Sequence, residues 1–144
     1  MRILPRESAG ARFADSSDML KSFLIAFVLS VLFDFFWIGL LMAKFYQKEL
    51  GGLLRTKIGG KLDPILWPAI LVYVLLGAGV SYFTLPLSES LIPGFLFGVI
   101  VYGVYEFTNY SLVKNWSLKV VVVDVLWGGV LCMLVTEATR RILI

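Results

Sequence analysis

SFLIAFVLSVLFDFFWIGLLMA, residues 22–43, is a nearly unbroken apolar run bracketed by Lys21 and Lys44 and interrupted by one charge, Asp34. About 20 residues at 1.5 Å each cover a hydrocarbon core of about 30 Å, so the run predicts a transmembrane helix. Three further runs have the same character: 65–85 (ILWPAILVYVLLGAGVSYFTL), 91–112 (LIPGFLFGVIVYGVYEFTNYSL) and 119–139 (KVVVVDVLWGGVLCMLVTEAT). Val120–Val123 resembles a buried strand, but only a helix satisfies its own backbone within lipid. The third and fourth runs carry Glu106 and Asp124. A carboxylate at such depth costs roughly 3 kcal/mol on insertion scales, so three of them require a polar interior.

The composition agrees. Hydrophobic residues make up 59% and charged residues 16% of the 144 residues, and the mean hydropathy is +0.88. Soluble domains are about 45–50% apolar and about 25% charged. The length suits one compact bundle. The net charge of +3 belongs with loops facing anionic lipid, and nucleic acid is not expected as a partner. There is no histidine, which excludes His-ligated haem, ordinary zinc sites and Ser-His-Asp catalysis. The single Cys132 excludes an intramolecular disulfide and reads as a small core residue. No cofactor, metal site or catalytic motif is implied.

The expected architecture is all-α: an integral membrane bundle of four transmembrane helices (22–43, 65–85, 91–112, 119–139) with short loops and a short interfacial segment after helix one. Residues 1–18 are polar, lack an apolar period and read as a flexible tail before a membrane domain over 19–144. Met19-Leu20-Lys21-Ser22 reads as an alternative start, and the run that follows is too long for a signal peptide. The connection 44–63 carries five Lys or Arg residues, with Phe45, Leu50, Leu53 and Leu54 suggesting an amphipathic turn or two between Gly pairs. Residues 86–90 form a tight turn without positive charge. Pro64 and Pro68 open the second helix, with Trp67 and Tyr82 as interfacial anchors. Lys114 and Lys119 bring the first and third connections to seven cations. The other side holds Lys21, Arg140 and Arg141, plus Arg2, Arg6 and Arg12 if the tail is present. The bias places both termini outside the cytoplasm. Glu137 with Arg140 and Arg141 reads as an interfacial end cap.

Depth places the three acids together. Asp34 lies just past the middle of its helix, and Glu106 and Asp124 each lie roughly 7 Å from their helix centres toward the same side. Each acid heads a polar stripe at helical spacing: Ser30, Asp34 and Trp37; Gly98, Tyr102, Glu106 and Asn109, bordered by Tyr105 and Thr108; Asp124, Trp127, Gly128 and Leu131. Three such stripes predict one shared interior pocket. Asp-x-x-Trp occurs twice, at Asp34–Trp37 and Asp124–Trp127, letting each Trp wall its carboxylate from lipid. Gly94-x-x-x-Gly98, Gly128-Gly129 and Gly77-Ala78-Gly79 read as backbone packing sites, with self-association as the alternative.

Several blocks carry a resemblance: Asp34-Phe-Phe-Trp37-Ile-Gly39, Tyr46-Gln-Lys48-Glu49-Leu50-Gly51, Tyr102-Gly-Val-Tyr105-Glu106-Phe-Thr108-Asn109, Trp116, and Val123-Asp124-Val-Leu-Trp127-Gly128. In this order they resemble a family of bacterial membrane proteins catalogued as domain of unknown function 2177, over roughly Met19 to Thr136. The chain departs from that pattern at Glu106, where the family pattern has Asp. The resemblance implies a small four-helix protein of the bacterial inner membrane and no reaction.

Three functions fit the residues. In the first, Asp34, Glu106 and Asp124 bind or translocate a small ligand or protons. Tyr102, Tyr105 and Asn109 then orient the ligand, and Trp37 and Trp127 wall it. A four-helix chain is small for a transporter, so this reading expects a homodimer. In the second, two carboxyls act as acid and base on a lipid or isoprenoid-like substrate. In the third, the carboxyls are polar glue between helices. The lipid bilayer is a partner in all three.

Overall fold

The computed structural model describes residues 15–87 and 90–143. The expected tail therefore lies largely outside the described residues, as do Arg2, Arg6, Arg12 and the middle of the turn at 86–90. Among the described residues there are five α-helices: α1 Ser16–Asp34, α2 Ala43–Leu50, α3 Leu66–Gly79, α4 Ile92–Leu112 and α5 Leu118–Leu143. Among the described residues there is no strand, only an isolated antiparallel bridge between Thr56 and Leu62.

Helix α1 starts six residues before the expected 22. Asp15 caps it, its side chain accepting from the Ser17 N–H at 3.3 Å. Asp18 in the first turn suits the positive end of the helix dipole. At its other end α1 runs directly into a π-helical stretch, Phe35–Leu41, with Met42 N bonding Trp37 O five residues back. Helix α3 does the same over Val80–Thr84, with Leu85 N on Val80 O. Both wide turns adjoin buried polar side chains, Asp34 in one case and Ser81 and Thr84 in the other. Insertions of this kind recur where a side chain must be re-aimed. Helix α5 runs four residues beyond the expected 139, because Arg140 and Arg141 pair with Glu137 in its last turns.

Ser16–Leu41, Leu66–Thr84 and Leu118–Leu143 are long and apolar enough to cross a membrane. Helix α4 has the length but is not one of them, since its second half carries Tyr102, Tyr105, Glu106, Thr108 and Asn109. Three spans, not four, stand on length and hydropathy alone.

The packing is inverted relative to a soluble protein. Leu24, Val28, Leu32, Phe36, Leu40, Ile70, Leu75, Ile100 and Val104 face outward, while Ser22, Ser30, Asp34, Ser81, Thr84, Glu106, Thr136 and Thr139 are buried. In α1 the inner row is Ser22, Ala26, Ser30 and Asp34, one residue in four, which is one helical face. Small residues on that face let α1 approach α3 and α5; Ser22 bonds the Asp18 and Met19 carbonyls of its own helix, and Asp34 bonds the other helices. Side chains elsewhere also bond between helices. Thr84 and Thr136 share such a bond at 2.8 Å.

Helices α4 and α5 form the closest pair. A Cβ on Gly98 would lie 1.9 Å from the Gly128 carbonyl oxygen, so the two backbones touch there. The connection after α1 folds back as α2, whose Tyr46 and Leu50 are buried. Its later part turns at Gly59 and Gly60, both at positive φ. The α4–α5 turn passes through Asn115 at φ 65°, a conformation that Asn tolerates better than most residues.

Gly98→Val should therefore separate α4 from α5 and destabilise the protein by about 1–3 kcal/mol or more, as overpacking does. Gly103→Ala, where a Cβ meets nothing within 4 Å, should change stability by less than about 1 kcal/mol. Thermal unfolding of both variants in detergent checks this.

Candidate functional site

Asp34 sits where α1 gives way to its wide turn, only 5% exposed. Both carboxyl oxygens are used. Oδ1 accepts from Trp127 Nε1 of α5 at 2.8 Å, and Oδ2 accepts from the Tyr73 hydroxyl of α3 at 3.0 Å. One side chain thus joins three helices.

Trp37, inside the wide turn, lies flat on Trp127, with ring centroids 4.2 Å apart and planes 4° from parallel. Its Nε1 donates to the Tyr46 hydroxyl of α2 at 3.2 Å, and that hydroxyl donates to Asp124 Oδ1. The two Asp-x-x-Trp pairs are therefore crossed. Trp127 serves Asp34 directly, and Trp37 serves Asp124 through Tyr46. Each indole caps the other helix's acid, where the sequence spacing pointed to its own.

Glu106 is fully buried. Its Oε2 accepts from Trp116 Nε1 of the α4–α5 turn at 2.8 Å. Among the described residues no donor reaches its Oε1, and the carboxyl lies against that of Asp124. Tyr102, one turn before Glu106 on the same stripe, lies against Gly128. Tyr105 turns outward, 58% exposed, and meets Trp116 edge-on at 6.3 Å. Asn109 stands beside Tyr105.

The fold thus joins Asp34, Trp37, Glu106, Asp124 and Trp127 in one network, with Tyr102 packed beside it on Gly128 and Tyr105 and Asn109 at its edge. The five ion pairs among the described residues use Asp18, Glu49, Asp63 and Glu137; none reaches Asp34, Glu106 or Asp124. Three participants were not expected at the site. Tyr73 is a phenol in the middle of an apolar helix, a signal that a partner is needed. Tyr46 and Trp116 stand in loop motifs, and no helical period links them to the acids.

Helix α2 is held at its far end as well. Glu49 accepts from Ser117 Oγ at 2.7 Å and from Lys119 Nζ at 3.3 Å. The Ser117 hydrogen bond, helped by Lys119, holds the Glu49 carboxyl below its ordinary value of 4.5.

Fold and network together define a multi-pass helical membrane protein with a hydrogen-bonded cluster of carboxyls, Asp34 and Glu106 buried and Asp124 half-buried. Residues 19–140 match the family model described as "Predicted membrane protein (DUF2177)", and the chain belongs to that family. No curated protein and no solved structure matches the chain.

Asp34→Leu leaves the Tyr73 and Trp127 donors without an acceptor, at about 1–3 kcal/mol each in protein interiors and toward the low end in membrane bundles. The expected loss is roughly 2 kcal/mol by unfolding in detergent followed by Trp fluorescence, with Asp34→Asn, which keeps one acceptor, losing about half as much. The Glu49 clasp has the opposite logic to a histidine pair. Its folded carboxyl is held low, so its contribution is complete above pH 4.5 and fades as pH falls through the lowered folded value. Hydrogen-exchange protection of α2, corrected for intrinsic rates, should fall in acid in the wild type and be pH-independent over that window in Glu49→Gln.

Proposed function

We propose that this protein crosses the bacterial inner membrane four times, α4 being the remaining span, and binds and exchanges protons or a small ligand at its carboxyl network. Polar interior groups suit a helix that faces other helices more than lipid, which explains the lower hydropathy of α4. The excess of Lys and Arg on the α2 side favours both termini on the non-cytoplasmic side.

One observation carries the reading: a fully buried Glu106 whose Oε1 no donor reaches among the described residues and whose carboxyl lies against Asp124. Two carboxylates are acceptors only, so they cannot bond one another while both are ionised. A single proton converts one into a donor and completes the pair. With no Lys or Arg paired to either group, the compensating charge must be brought in, and a proton fits the space between adjacent carboxyls.

Asp34 favours a second role. Both of its oxygens are satisfied by donors from two other helices, which is the arrangement of a residue that fixes helix register. The two readings divide the network: Asp34 ties the bundle, and the Glu106–Asp124 pair holds the exchangeable proton.

Infrared difference spectroscopy of the protein in nanodiscs tests this. The wild type should show a protonated-carboxyl C=O band that is lost or shifted in both Glu106→Gln and Asp124→Asn, and is unchanged in Glu49→Gln. An amide at Glu106 still accepts from Trp116 and donates to Asp124, so that variant should fold. Spectra indistinguishable among the folded variants would overturn the proposal.

A further inference from the structure

The end of the molecule that carries α2 has an unusual charge balance. Residues 43–63 and 113–119 contain seven Lys or Arg and two acids, Glu49 and Asp63. Both acids are already engaged, Glu49 by Lys119 and Asp63 by Lys57, each at 3.3 Å. Lys44, Lys48, Arg55, Lys61 and Lys114 are all exposed, and none forms an ion pair among the described residues. The other end differs. Its described cations Lys21, Arg140 and Arg141 each pair with Asp18 or Glu137. Unpaired positive charge is therefore concentrated where α1 ends, α4 ends and α5 begins, at the level of lipid headgroups.

That face also has a shape. A cleft of about 390 Å³ opens between the end of α2 and the α4–α5 turn, lined by Lys48, Glu49, Leu50, Gly51, Leu53 and Asn115. Lys114 precedes Asn115 at the turn. Leu53 on the cleft wall is exposed, as are Leu112 and Leu118, three residues either side of Asn115 in the chain, and Ile58 beside Lys57. Basic side chains with apolar neighbours at this depth match a phosphate-bearing headgroup above and acyl chains below.

We propose that this cleft and its basic rim bind the headgroup of an anionic phospholipid. Lys48 and Lys114 flank the phosphate, and the exposed leucines and Ile58 rest at the boundary with the acyl chains. The inference is independent of the proton reading of the carboxyl pair. It does have a structural link to it, since α2 presents Lys48 to the cleft and Tyr46 to Asp124.

The test uses the full chain in nanodiscs of mixed phosphatidylcholine and phosphatidylglycerol, released into mild detergent, with retained lipids counted by native mass spectrometry. The wild type should retain phosphatidylglycerol in preference to phosphatidylcholine. A surface Lys or Arg contributes about a fivefold gain in affinity for anionic lipid, so Lys48→Gln with Lys114→Gln should weaken retention roughly 30-fold. Lys21→Gln with Arg141→Gln, at the opposite end, should leave retention unchanged. Equal retention of the two lipids, or equal losses in the two double variants, would overturn the proposal. Displacement of the lipid by inorganic phosphate alone would assign the cleft to a free anion and overturn it as well.

Discussion

The indole of Trp127 donating to Asp34 is the contact on which the interior depends. A helix in lipid has no water to satisfy a carboxylate, so the partner must come from another helix. Trp127 supplies it from α5 and Tyr73 from α3. That requirement sets how far α1 can slide or rotate against either neighbour. The stack of Trp37 on Trp127 follows from it, because the wide turn after Asp34 brings one indole flat on the other. Through Trp37 and Tyr46 the same arrangement reaches Asp124 and draws α2 down onto the bundle.

Close helix approach is the complementary condition. Glycines at the α4–α5 contact bring the backbones together at Gly98 and Gly128. Two turns further along, the larger Glu106 is carried into full burial against Asp124. Leu or Val at Gly98 would hold α4 away and leave Glu106 facing a gap. The small residues and the buried acid are thus parts of one packing solution, in which van der Waals contact between backbones compensates for the weak drive of apolar surfaces to associate in lipid.

The polar parts of the molecule are arranged in layers. Among the described residues, Asp34, Glu106 and Asp124 have no cationic partner, Asp124 bonding Tyr46 of α2, and exposed cations without an acidic partner lie on and around that helix. Helix α2 belongs to both layers, with Tyr46 inward and Lys48 outward. Opposite charges are separated by one short helix and not neutralised in pairs. The two proposals rest on this separation: a proton taken up by the carboxyl network, and an anionic lipid on the basic face.

Much of this was determined by sequence alone. Apolar run length set three of the spans, because spanning hydrocarbon fixes a minimum of about 20 residues. Spacing put Ser30, Asp34 and Trp37 on one face and Gly98, Tyr102, Glu106 and Asn109 on another, because helical geometry is local. Depth along each run put the three acids at one end. Which donor meets which acid was decided only by the tertiary structure. Trp37 and Trp127 exchange carboxyls across the bundle, Tyr73 reaches Asp34 from a helix without any acid, Tyr46 arrives from the short helix α2, and Trp116 from the α4–α5 turn. Such pairings depend on the rotation and offset of one helix against another. Those are set by the packing of glycines and wide turns, quantities that a periodic pattern within a single segment does not contain.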